Sequence, residues 1–509
     1  MHGARPAQAV ALQRRLASGP DRLALYAALA EGGRRSDTFL LERSEGPSLL
    51  MDRAALRIEC RGGDVVLQAL SPGGRAVLAQ VARALAERVA ASGEDRLRLS
   101  FPRPHGDDAE ARLLAPSPLD VLRAIVGIGS ASPEEPFTVA LLGVTAFDQA
   151  DLFEDLPANA EDPLGFPDYV YWLAESLLVF DPGAPPRLVC TAFGGTESGY
   201  YDAAERLARL VERCDSPAPL RPPPAPAGPA GAVEVDLDDE AYCAVVARLK
   251  GHIAAGDVYQ IVPSRTFRAP CAEPLAAYAA LRRLDPSPYR FFVAAGDFTL
   301  FGASPETSVR VFADSKWKTV EVKPIAGTRP RGASPDEDDR QEAELRLDRK
   351  ELAEHMMLVD LARNDVARIA IPGTRRVGRL MTVERYARVM HLVSSVTGAL
   401  RIGYDSLHAL QACLNVGTLT GAPKLRATEL LRGTEATKRG PYGGAIGWLN
   451  GEGYMDSGVV IRSAVVRDGI AFVRAGAGVV HDSDPQSEAD ETRRKASALL
   501  SVLAAGTTQ

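Results

Sequence analysis

Ala475-Gly-Ala-Gly478-Val-Val-His-Asp-Ser-Asp-Pro485-Gln-Ser-Glu488-Ala-Asp-Glu491-Thr-Arg-Arg-Lys495-Ala496 reads as a glycine loop, an acidic turn and then a helix. On a 3.6-residue helix Glu488, Glu491 and Lys495 fall on one face, so two carboxylates and an ammonium point the same way. Behind a glycine loop that lets backbone approach a ligand, such a pair suits a hard divalent cation gripping an anionic substrate. The plainer alternative is a solvated, salt-bridged last helix. What tips the balance lies upstream. Glu351-Leu-Ala-Glu354-His355 repeats the spacing, and two such helices facing each other would supply oxygen ligands for Mg2+.

The chain has 509 residues, 46% hydrophobic and 25% charged, an ordinary globular composition. A net charge of -7 and no basic tract exclude nucleic acid as the main partner. Six scattered cysteines with no CxxC pair exclude a cysteine-rich zinc site and predict free thiols in a reducing compartment. With no leader-like segment and no run of about 18 apolar residues, no membrane contact is expected and a cytoplasmic location is.

Hydrophobic periodicity predicts one amphipathic helix over residues 1–35, then an antiparallel meander at 38–42, 48–51, 56–60 and 64–68. Further helices are expected at 74–91, 118–128, 201–213, 237–255, 275–284 and 346–367. Strands are expected at 137–143, 168–180, 258–265, 377–380, 391–400, 442–449, 457–466 and 470–475. Residues 291–294 and 298–302 pair naturally as a hairpin, which 309–312 and 319–322 would extend. The proline-rich run from Ser216 continues neither structure, so it divides the chain into residues 1–215, a linker at 216–235 and residues 236–509.

Pro324-Ile-Ala-Gly327-Thr328-Arg329-Pro-Arg331-Gly, Leu419-Thr-Gly421-Ala-Pro-Lys424 and Val460-Ile-Arg462-Ser offer what a substrate carboxylate wants: glycine-flanked N–H groups, a hydroxyl and cations. Neither a P-loop nor a dinucleotide fingerprint is present. With Gly302-Ala-Ser-Pro-Glu306, Glu354-His-Met-Met-Leu-Val-Asp-Leu-Ala-Arg-Asn-Asp365 and Gln486-Ser-Glu-Ala-Asp-Glu-Thr-Arg, these strings resemble the chorismate-utilising enzymes, and within them the large subunit of anthranilate synthase, over residues 38–500. The resemblance implies an α+β fold: two domains of interleaved antiparallel β-sheets flanked by helices, with the site in the C-terminal one.

Site roles implied by the resemblance follow residue by residue. Glu354 and Glu491 would ligate Mg2+, with Glu351 and Glu488 in support, and the cation would hold the C1 carboxylate of chorismate beside Gly476, Gly478 and Lys495. Arg462 and Tyr442 would bind the enolpyruvyl carboxylate, and Gly327, Thr328 and Thr418 the ring. Glu306 would protonate the departing C4 hydroxyl, ammonia would attack C2, and His391 would serve the loss of pyruvate that yields anthranilate. Stopping after amination, with release of 2-amino-2-deoxyisochorismate, is the alternative; a catalytically silent subunit is a third reading, against which the intact carboxylates stand.

Siblings that add water at C2 carry a lysine base where this chain has Gln260, and an amide cannot take a proton. Siblings using a lysine nucleophile have it where Ala326 stands. No Gly-x-Cys-x-Gly elbow is visible, so glutamine-derived ammonia is expected from a separate amidotransferase subunit in a hetero-oligomer. Positions that bind tryptophan in feedback-regulated relatives hold Arg43, Asp285, Arg290 and Gly458 here. Two long cations and a carboxylate would fill an indole pocket or pair across it, which predicts insensitivity to tryptophan and service in secondary metabolism.

Overall fold

Two antiparallel sheets pass through each other at one pair of long strands, Ser48–Arg61 and Tyr169–Phe180, in a computed structural model. It describes residues 9–17, 19, 21–104, 108–159, 161–215, 232–314, 316–386 and 389–504. Ser48–Met51 pair with Leu177–Phe180 in the first sheet, and residues 56–60 pair with 169–173 in the second. Three register irregularities between Met51 and Leu56 mark the handover. Bulges of this kind bend a strand and re-aim it, which lets one strand serve two sheets.

From that crossing the first sheet runs outward through Thr38–Arg43, Tyr289–Ala294, Thr299–Ser304, Ser463–Arg467, Ile470–Gly476 and Ser264–Pro270. The second runs through Ala140–Thr145, Ala445–Asn450, Met455–Val459, Thr307–Asp314, Trp317–Val322 and Val389–Ala399. Strands from both sides of residues 216–235 therefore share ladders: Leu41 faces Phe291, and Gly143 faces Gly447. The interleaved α+β architecture expected from the motifs is what the chain adopts. Helices cover the outside, Arg349–Ala367 on Ile325–Pro330 and Val389–Ala399, and Pro485–Ala504 on Ile470–Gly476.

Several expected elements are corrected. Within residues 1–35 the described part is a strand, Val10–Arg15, paired with Arg187–Ala192, and a short helix, Arg22–Leu29, capped by Asp21. Gly19-Pro20 cannot continue a helix, and sheet pairing overrides the weak period before it. The helix expected over 74–91 stops at Ala84, and Val89–Ser92 pairs instead with Arg96–Ser100. Residues 48–51 and 56–60 belong to one strand. The 346–367 helix is two helices, because Asp348 caps the second by accepting from the N–H groups of Lys350 and Glu351. The strand expected at 258–265 is two, Gln260–Ile261 and Ser264–Pro270.

The 457–466 stretch is also two strands, broken at Arg462, whose φ of 48° turns the chain. The 291–302 hairpin forms as expected, yet Thr307–Asp314 does not extend it: it pairs with Met455–Val459 in the second sheet. Most of the proposed linker, 216–231, lies outside the described residues, and Glu234–Val235 form a short strand against Arg268 and Phe267. Cys60, Cys190, Cys243, Cys271 and Cys413 form no disulfide among the described residues, and no described helix is long and apolar enough to cross a membrane.

Candidate active site

The Arg349–Ala367 and Pro485–Ala504 helices bring the two carboxylate pairs to one region. Glu354 is pushed up from the ordinary carboxylate range by burial and then by the charges of Glu351 and Glu491, which shows that carboxylates from both helices act on one another. Glu488 is likewise raised by burial and by Glu491. Glu491 is lowered: burial opposes its charge, but Lys495 Nζ lies 2.8 Å from its Oε1 and prevails. The same ammonium donates to the carbonyl of Gly476 at 3.0 Å. Among the described residues no three of His, Cys, Asp or Glu form a group able to hold a metal alone. Mg2+ asks for one or two carboxylates with water and other oxygens, and Glu354 and Glu491 could supply those carboxylates.

Gln260 stands between these carboxylates and the glycine loop. Its Nε2 donates to Glu354 Oε1 at 3.0 Å, and its Oε1 is buried with no partner among the described residues. A Cβ at Gly478 would come within 2.8 Å of that Nε2, so a side chain there would have to displace the Gln260 amide. At Gly476 a Cβ would meet the Tyr442 hydroxyl at 3.1 Å, which places Tyr442 against the same loop. Tyr442 lies in the turn before Ala445–Asn450 rather than in the strand itself.

Glu306 is 6% exposed, and burial raises its carboxyl to about 7 despite the Thr418 hydroxyl, which donates to Oε1 at 2.8 Å, and the cations Lys495 and Arg462. It is thus a carboxylic acid that keeps its proton near neutral pH, the state a general acid needs. Val322–Pro324, Leu358, Leu361 and Val416–Thr418 wall the cavity on which it opens.

Residues 325–330 pair with Val389–Ala399, which sets His391 opposite Thr328. His391 Nδ1 lies 3.1 Å from the Gly327 carbonyl and 3.0 Å from the Thr328 hydroxyl. Donation to the carbonyl leaves Nε2 as the unprotonated nitrogen, and that atom is buried without a partner among the described residues. Burial lowers the imidazole to about 4, so the ring is neutral at pH 7. Gly327 itself has φ 68°, and a Cβ there would press on Glu351 and Leu345.

Not every cation of the glycine-bearing segments is available to a ligand. Lys424 Nζ pairs with Asp365 at 2.7 Å, Arg329 with Asp348 and Glu351, and Arg331 with Asp338. Arg462 is held loosely by Asp285 at 3.5 Å. The other divergent positions are engaged too. Arg43 lies over the Tyr289 ring, 3.5 Å from its centroid, and pairs with buried Asp456 at 2.9 Å. Arg290 approaches Glu42 at 4.0 Å, and a Cβ at Gly458 would meet the Tyr289 ring at 2.6 Å.

The sequence reading missed the prop behind Tyr442. Buried Glu435 accepts from Ser264 N–H and Oγ and from Arg439 and Arg474, which hold its carboxyl at about 2 against the burial that would raise it. Nothing periodic marks it, since a lone glutamate at a helix end is usually solvated. The depressed value contributes stability above the ordinary range, about 4.5, that is lost as pH falls toward 2. Glu435→Gln is expected to cost about 3–5 kcal/mol, because two buried guanidinium groups lose their counter-charge. Urea unfolding at pH 7 checks this; a loss under about 1 kcal/mol would contradict it.

The profile of the family described as chorismate binding enzyme matches residues 79–501. Anthranilate synthase component 1, pyocyanine specific, of Pseudomonas aeruginosa is 50% identical over 467 residues, 89% of this chain and 86% of that protein. Anthranilate synthase component 1 of Vibrio cholerae is 46% identical over 501 residues, covering 95% and 94%. The crystal structure of anthranilate synthase component I from Streptococcus pneumoniae superposes with a TM-score of 0.72 at 30% identity, covering 90% of this chain and 92% of that one. Sequence and architecture agree over nearly the whole length, and the chain belongs to the chorismate binding enzyme family.

Proposed function

We propose that the protein aminates chorismate at C2 with ammonia and then eliminates pyruvate to give anthranilate, with Mg2+ as cofactor. The observation that carries this reading is an acid without a base: Glu306 keeps its proton near neutrality, while the amide of Gln260 stands beside Glu354. Water as nucleophile needs a base to deprotonate it, which an amide cannot be; ammonia brings its own lone pair.

In the first step Glu306 gives its proton to the C4 hydroxyl, which leaves as water while nitrogen bonds to C2. The unpaired Oε1 of Gln260 is an acceptor for an ammonia N–H, orienting the attack. Glu354 and Glu491 would hold Mg2+, with Glu351 and Glu488 through water, and the cation would neutralise the C1 carboxylate. Arg462 and Tyr442 hold the enolpyruvyl carboxylate, with Gly327, Thr328 and Thr418 about the ring. In the second step His391 Nε2, neutral and unpaired among the described residues, takes the C2 proton as the C3–O bond breaks; the ring becomes aromatic, and the enolate released is protonated at its methylene carbon to give pyruvate. All these groups lie in residues 236–509, proposed as the catalytic region.

Ammonia would come from a glutamine amidotransferase subunit, in keeping with the name component 1 of the relatives. Arg43, stacked on Tyr289 and paired with Asp456, occupies one of the positions that bind tryptophan in regulated relatives, which supports insensitivity to tryptophan. The pyocyanine-specific relative supports service in a secondary pathway; biosynthesis of tryptophan is the other. Purified protein with chorismate, Mg2+ and ammonium is expected to release anthranilate and pyruvate, at a rate unchanged by millimolar tryptophan. An accumulating aminated product that retains the enolpyruvyl group would replace this reading with amination alone. Inhibition by micromolar tryptophan would refute the insensitivity.

A further inference from the structure

A second cleft lies beside Tyr442. Its floor is the face of the first sheet formed by Thr266 and Arg268, Phe472 and Arg474, and Ser463 and Val465. Pro163, Leu164 and the 437–442 turn form its walls. None of the proposed catalytic or metal-binding groups lines it; of the residues proposed to bind chorismate, Tyr442 does.

Arg268 is the unexplained group. Its Nε is buried and has no hydrogen-bond partner among the described residues, and its guanidinium lies 5.5 Å from the Phe472 ring centroid. No ion pair reaches Arg268 among the described residues, although Glu234 faces it across the strand pair. Asp236, also in the lining, spends Oδ1 on the N–H groups of Leu237 and Thr266. Lys438 brings a second cation with no ion pair among the described residues. By contrast, Arg439 and Arg474 in the same cleft are both committed to Glu435.

A buried guanidinium N–H without an acceptor is costly, and an anionic ligand relieves that cost. The rest of the lining narrows the ligand. Phe472, Leu164, Pro441 and Val465 present apolar and aromatic surface beside the two cations, which favours a flat apolar body over a fully hydrated anion such as phosphate. We propose that this cleft is a binding site, separate from the chorismate site, for a small aromatic carboxylate, its carboxylate received by Arg268 and Lys438 and its ring by Phe472.

The test is equilibrium binding of benzoate to the full chain, with saturating chorismate present and ammonium absent. One equivalent of benzoate that chorismate does not displace is expected. Arg268→Gln and Lys438→Gln should each weaken it by about 10-fold or more, as loss of a charge-assisted hydrogen bond does. Both variants should retain wild-type turnover with chorismate and ammonium. Neutral benzamide should not occupy the cleft. Full displacement of benzoate by chorismate would overturn the proposal, as would retention of the undisplaced equivalent in Arg268→Gln or equal binding of benzamide. Loss of chorismate turnover in the wild type would instead strike the catalytic reading, since undisplaced benzoate and its dependence on Arg268 are read without turnover.

Discussion

Glu306→Gln is expected to lower kcat by about 10³-fold, leave KM for chorismate nearly unchanged and make the protein more stable above pH 7. The two effects share a cause. Burial raises the folded-state carboxyl to about 7 from an ordinary 4.5, so ionisation above neutrality is paid against the folded state. A raised acid contributes stability that is complete below the unfolded value and lost as pH rises through the folded one. Removing the ionisable group should therefore restore about 1–3 kcal/mol at pH 8, while the Thr418 hydrogen bond still has an amide oxygen to reach. The wild-type kcat profile at saturating ammonia should fall with rising pH through an apparent pKa of about 7, and that limb should vanish in the variant. Unfolding curves at pH 6 and pH 8 with the rate profile check this. A variant that keeps kcat within tenfold would remove Glu306 from the role of acid.

Glu491→Gln is expected to reduce kcat/KM by about 100-fold or more and to weaken the Mg2+ dependence of turnover by at least about tenfold, with stability within about 1 kcal/mol of wild type. The small stability effect follows from the geometry. Glu491 and Lys495 form an i, i+4 pair with side chains 39% and 44% exposed, and solvent screens such a pair. Its carboxylate is nevertheless kept ionised by that lysine, which suits a cation ligand. Mn2+ titration followed by electron paramagnetic resonance, with chorismate present, separates loss of metal from loss of chemistry. Undiminished metal binding in Glu491→Gln would end its assignment as a ligand.

Local pattern carried a good part of this site. The i, i+3 carboxylates of 351–354 and 488–491 are a property of helical period, and both helices form where that period runs. Glycine at 476 and 478 was legible as close approach, because a side chain would press on the Pro263 carbonyl at the first and on the Gln260 amide at the second. The choice of Gln260 over a lysine base also belongs to the sequence, since it is a matter of residue identity.

Tertiary structure alone decided the rest. Residues 10–15 form a strand because Arg187–Ala192 offers them an edge, a partner more than 170 positions away that no window of periodicity can see. The single strand Ser48–Arg61 serves two sheets through irregularities that hydrophobic alternation does not encode. Glu306 is an acid because it is buried, Glu435 an anion because two guanidinium groups enclose it, and Arg268 a cation without an ion pair among the described residues because Glu234 and Asp236 do not pair with it. Residue type fixes which protons and charges are possible; which of them exist at neutral pH depends on desolvation and on neighbours brought in from distant parts of the chain.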